Sequence, residues 1–124
     1  MSKLKSIKSL DKLSDLNYLN MMMSGKKHLI YEMLELFLKN FPLELQSINH
    51  AILKKDYLII KRSAHTMQSS VAIVGISTLS TILREIEELA SIAGIEKIKV
   101  LKRELNSICR QALEELENDK YNYA

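Results

Sequence analysis

Among the three histidines of the chain, His65 has the neighbours best suited to chemistry. On a helix, residues three and four apart share a face, and those positions around His65 hold Lys61 and Arg62 before it and Gln68 and Ser69 after it. Two cations and two neutral polar groups would border an imidazole with open access. Such a group can attract a phosphoryl anion and hydrogen-bond its oxygens, and imidazole is nucleophilic when neutral near pH 7. Leu58, Ala72 and Ile76 supply apolar surface around it for a partner to cover.

The helix carrying His65 is legible from its other face. Ile60, Ala64, Met67, Val71 and Val74 recur at four, three, four, three, a single seam for a core, with Ala64 small enough for close packing. At about 100° per residue, His65 falls well off that seam, on a flank shared with Leu58, Lys61, Gln68, Ser69 and Ala72. It should be at least partly exposed.

The remaining elements follow from periodicity and stop signals. Leu4, Ile7, Leu10 and Leu13 are spaced by three among Lys3, Lys5, Lys8 and Lys12, which suits either an amphipathic arm or a linker over residues 1–14. Ser14 is expected to cap a short helix over 15–23, stopped by Ser24 and Gly25. A helical pattern runs over 26–55, where Pro42 must either kink the helix or start a new one. Asp56 should cap a helix over 57–74 stopped by Gly75, Ser77 should cap the next, to about residue 93, and Gly94 should turn the chain into a last long helix. Residues 119–124 read as a polar tail.

In 124 residues with 47% hydrophobic and 27% charged side chains there is room for one domain with a core, and Gly 3 with Pro 1 is too few turn residues for a β sandwich or barrel. Short connections make successive helices antiparallel. The expected fold is therefore all-α, an up-down four-helix bundle over 15–118 with one or two short N-terminal capping helices. A net charge of +3 is too even to imply nucleic-acid binding, no apolar run reaches the ~18 residues of a membrane span, and one cysteine fits a reducing, cytoplasmic setting.

The sequence around His65 resembles the signature of histidine-containing phosphotransfer (HPt) domains. From Ala64 to Gly75 it presents a small residue, the histidine, a serine pair and a glycine ten positions after the histidine. Leu16 to Leu19, Phe37 to Pro42, Asp56 and Leu79 to Leu89 extend the likeness to roughly residues 15–116. There are two departures: Gln68 stands where the family usually has lysine and Ser69 where it has glycine. The resemblance implies a carrier in a His–Asp phosphorelay, with Nε2 of His65 accepting a phosphoryl group from a receiver-domain aspartate and passing it to another. Lys61, Arg62, Gln68 and Ser69 would stabilise the phosphoryl group, and Leu58, Ala72 and Ile76 would dock the receiver.

The expected partners are response-regulator receiver domains and a hybrid sensor histidine kinase, with the receiver supplying Mg²⁺, no cofactor bound by this chain, and a monomeric state. No Gly-rich phosphate loop is present, so a carrier is expected, not an enzyme. The rival readings are a phosphotransfer-deficient receiver-binding scaffold and a generic helical interaction module. His28 and His50 are expected to be structural or solvated, Met21, Met22 and Met23 to fill core gaps, and Cys109 to be packed and unreactive. Glu85, Glu87, Glu88, Glu114, Glu115 and Glu117 read as solvated helix faces.

Overall fold

The computed structural model describes residues 12–124. A short helix, α1 (Asn17–Met22), precedes four long ones: α2 (Lys27–Leu53), α3 (Tyr57–Ile73), α4 (Ser77–Ser91) and α5 (Ile95–Asp119). A 3₁₀ turn over Lys120–Tyr123 follows. The four long helices pack antiparallel, each against its neighbours in sequence, and α2 closes the ring against α5. Residues 1–11, with the expected leading arm, lie outside the described residues.

The buried stripe of α3 is the one the periodicity assigned. Ile60, Ala64, Met67, Val71 and Val74 are all buried, meeting Ile30, Leu34, Phe41 and Ile48 of α2, Leu79, Leu83 and Ile86 of α4, and Ile98, Leu105, Cys109 and Leu116 of α5 in one core. Pro42 neither ends α2 nor starts a new helix. Its missing donor costs about 3 kcal/mol in a helix interior, and the stripe on either side of it, with Phe37 stacked on Phe41 at 4.7 Å, holds α2 as one element.

The C-terminal ends of α1 to α4 share one device. In each, the second residue past the cap donates to the carbonyl five residues back and its predecessor donates to the carbonyl three back, as in Gly94 N to Leu89 O (2.9 Å) and Asp56 N to Ala51 O (2.9 Å), with a left-handed residue at the turn. The left-handed residues are Ser24 and Gly25 after α1, Lys55 after α2, Gly75 after α3 and Ala93 after α4. Gly75 has a second reason to be glycine. The backbone of Asp15 crosses it, Asp15 N donating to Val74 O at 3.0 Å, and a Cβ at Gly75 would run into the Asp15 carbonyl.

Some expectations are corrected here. Asp56 caps α3 through Ile59 N at 3.3 Å, but the cap of α4 is Ile76, not Ser77, because Ile76 is drawn completely into the core. Ser14 does not cap α1. It is buried, and its N–H and hydroxyl, with the N–H of Leu13, donate to the Glu115 carboxylate. Glu115 is thus a structural acceptor and not a solvated residue, and residues 12–14 are fastened to α5, with Lys12 paired to Asp119 at 2.6 Å. The tail is fastened too, since Tyr123 packs on the core and Lys120 pairs with Glu117 and Glu35. Met21 and Met22 are exposed and fill no core gap, because α1 lays only Leu19 fully into the core.

Candidate functional site

Burial of Ala64 and Met67 fixes the rotation of α3 and so places His65 outward, its side chain 73% exposed. Its partner comes from α4. His65 Nδ1 lies 3.1 Å from Glu87 Oε2, while the other oxygen, Oε1, accepts from Gln68 Nε2 at 2.7 Å. A carboxylate oxygen accepts, so the tautomer that satisfies this contact has Nδ1 as the donor, and in that tautomer the lone pair is on Nε2, away from Glu87. Gln68 also donates to Ala64 O at 3.2 Å, which places its amide between the helix and Glu87.

The other expected residues divide. Lys61 and Arg62 are exposed, one turn before His65, and neither forms an ion pair among the described residues. Ser69 is exposed one turn after it. Gln68 stands at the expected place, but its amide N–H groups go to Glu87 and Ala64, so in this structure they are not turned to an incoming phosphoryl group. Leu58 and Ala72 are exposed on the same flank. Ile76 is not on that surface: the chain turns inward at Gly75 and buries it. Tyr18 and Met21 of α1 are exposed and line, with Ala72 and the buried Ile76, a hollow of about 980 Å³.

Glu87 is the functional candidate that the sequence reading assigned to solvent. A signal for it existed. His65 is eleven residues before Ile76 and Glu87 eleven after it, and in an antiparallel pair joined by a tight turn such positions sit side by side. Ser70 faces the other way, its hydroxyl donating to Glu44 of α2. Burial raises the Glu44 carboxyl pKa above its ordinary value, an effect that the Ser70 hydroxyl opposes. His28 and His50 are solvated on α2, remote in sequence from this pair. Cys109 is completely buried and its thiol is pushed up to about 12, so it offers no thiolate.

Comparison with known families settles the class. A family model described as the Hpt domain matches residues 32–119, a range that holds α3, α4 and the His65–Glu87 pair. The chain belongs to the Hpt domain family. Hpt domains are phosphocarriers of His–Asp phosphorelays that interact with receiver domains, and they are not enzymes. The match leaves out α1 and the first turn of α2, so the Tyr18 and Met21 surface lies beyond it. Comparison with curated proteins and with solved structures gave no match. Among the described residues, no cluster of His, Cys, Asp and Glu is arranged to hold a metal ion, and no helix is long and apolar enough to cross a membrane.

Proposed function

We propose that His65 of this Hpt domain accepts a phosphoryl group from a receiver-domain aspartyl phosphate and passes it to an aspartate of a second receiver. The observation that carries the reading is the Glu87 contact to Nδ1, which leaves the Nε2 lone pair facing solvent on an exposed flank. In the accepting step Nε2 attacks phosphorus in line with the acyl oxygen. The N–P bond forms, the P–O bond breaks, and the aspartate leaves as a carboxylate. The ring then holds a proton on Nδ1 and phosphorus on Nε2, and Glu87 faces its positive charge, as a carboxylate steadies an imidazolium elsewhere. In the second step a receiver carboxylate attacks phosphorus and neutral imidazole departs.

Lys61 and Arg62 are within one turn for the phosphoryl oxygens, and Ser69 offers a hydroxyl. Gln68 acts indirectly, holding Glu87 in place. Mg²⁺ comes with the receiver and supplies charge neutralisation at the transferring phosphoryl group. The receiver docks over Leu58, Ala72, Tyr18 and Met21, in an interface at the small, transient end, below ~1,200 Å². The setting that suits this role is cytoplasmic, with receivers and a hybrid sensor kinase as partners and the domain itself a monomer.

The test is transfer of acid-labile label from phosphorylated receiver domains to the wild-type chain beside His65→Gln. Label on the wild type alone is expected. The committed Gln68 amide favours one rival, a scaffold that binds receivers without taking phosphate; equal binding of both proteins with label on neither would establish that rival in place of the carrier.

A further inference from the structure

Around His65 the cations of α3 lie to one side. Lys61 and Arg62 stand one turn before it, whereas the positions one turn after it are the uncharged Gln68 and Ser69, and Gln68 has given its amide to Glu87 and Ala64. In its whole length α4 carries one basic residue, Arg84. The reversal at Gly75 brings it level with that gap. His65 and Glu87 sit side by side in the antiparallel pair, so three residues nearer the turn on each helix, ~4.5 Å along the axis, Gln68 and Arg84 share the next level. Around α4, Arg84 is about 60° from Glu87 and about 100° from Glu85, which lines a hollow on the α5 side, so its backbone position is nearer the His65 flank.

Arg84 is exposed and forms no ion pair among the described residues. It precedes Glu87 and Glu88 in the chain, the weaker order for an ion pair along a helix. Glu87 is in any case engaged by His65 and Gln68. The guanidinium is thus left for something outside the bundle.

We propose that Arg84 is a catalytic residue of the transfer, donating N–H hydrogen bonds from α4 to the phosphoryl oxygens on His65, across from Lys61 and Arg62. This rests on the reading of His65 as the acceptor. The need for such a group comes from Glu87, whose negative charge orients the ring but opposes an incoming phosphoryl group that itself carries about −1.5 to −2. Lys61 and Arg62 offset that repulsion from one side only. A guanidinium at the level of Gln68 offsets it from the other, and its planar fork matches phosphoryl oxygens. Arg84 keeps its protons throughout, so the bonds made and broken are still N–P and P–O alone.

The test compares the full-length wild type with Arg84→Gln and Arg84→Lys, using one phosphorylated receiver domain. Single-turnover transfer should be roughly tenfold slower in Arg84→Gln and intermediate in Arg84→Lys, which keeps the charge and loses the fork. Thermal melts should coincide, because the side chain is exposed. A ³¹P pH titration of the phosphorylated chain, freed of receiver, is the second readout. A neighbouring guanidinium favours the phosphoryl dianion, so the phosphoryl pKa should rise in Arg84→Gln and stay near the wild-type value in Arg84→Lys. Wild-type rate and titration in Arg84→Gln overturn the proposal. So does slower transfer that follows from weaker receiver binding with the phosphoryl pKa unmoved, which would make Arg84 a docking cation. Label absent from the wild type itself defeats the carrier reading and this inference together, whereas label on the wild type with no effect of Arg84→Gln defeats this inference alone.

Discussion

At the scale of single residues the site depends on which nitrogen of His65 holds the proton. Glu87 makes that choice through its 3.1 Å contact, and Gln68 holds Glu87 from the other side. Hydrogen bonds to charged groups contribute about 1.5–3 kcal/mol, and solvent reaches this pair, so the lower end applies. Glu87→Ala should therefore slow phosphoryl transfer roughly tenfold while receiver affinity stays unchanged, measured as single-turnover rates beside equilibrium binding. Equal loss of rate and affinity would instead make Glu87 a docking residue. His65 and its polar neighbours were legible from helical spacing, because spacing reports contacts within one helix. Glu87 was not, because its contact is made between two helices and its exposed, glutamate-rich stretch looks solvated.

At the scale of elements, the turns decide where the flanks end. Gly75 is left-handed at φ +64 and is crossed by the Asp15 backbone, so Gly75→Ala incurs both strain and a clash. A loss of about 2–4 kcal/mol is expected in denaturant melts. Ala93 is the opposite case. It takes φ +55 at the end of α4 while Gly94, the residue expected to turn, sits at φ −83 as the cap of α5. Ala93→Gly should stabilise the protein by about 0.5–1 kcal/mol in the same measurement. The sequence marks both turns through glycine, yet glycine locates a turn only to within a residue. That uncertainty is why Ser77 looked like a cap and Ile76 looked like surface: the same one-residue shift draws Ile76 inward and makes it the cap of α4.

Across the whole molecule, residues 12–14 and the 3₁₀ turn over Lys120–Tyr123 are fastened to the bundle by charged groups. Burial alone would raise the Glu115 pKa, but the Ser14 hydroxyl, the Leu13 and Ser14 N–H groups and the Lys12 charge outweigh it and hold the carboxyl below its usual value of 4.5. A carboxyl depressed on folding adds stability above its unfolded pKa and loses it as pH falls through the folded one. Glu115→Gln should cost roughly 1–2 kcal/mol at pH 7. The gap to the wild type should close on acidification below about 4.5, as read from unfolding curves at each pH. Four antiparallel helices and the seam of α3 were readable because burial writes its period into a helix. The fastening of residues 12–14 and of the 3₁₀ turn was not, because Ser14 and Glu115 meet across a hundred residues of chain with no periodic trace.

In the proposed transfer, Nε2 of His65 is the atom that takes the phosphoryl group. The most direct measurement is ¹⁵N and ³¹P NMR of histidine-labelled protein before and after transfer from a phosphorylated receiver. Beforehand the Nδ1 of His65 is expected to be the donor to Glu87, and afterwards an N–P coupling to Nε2 of that residue is expected. Phosphorus on Nδ1, or on His28 or His50, would contradict it.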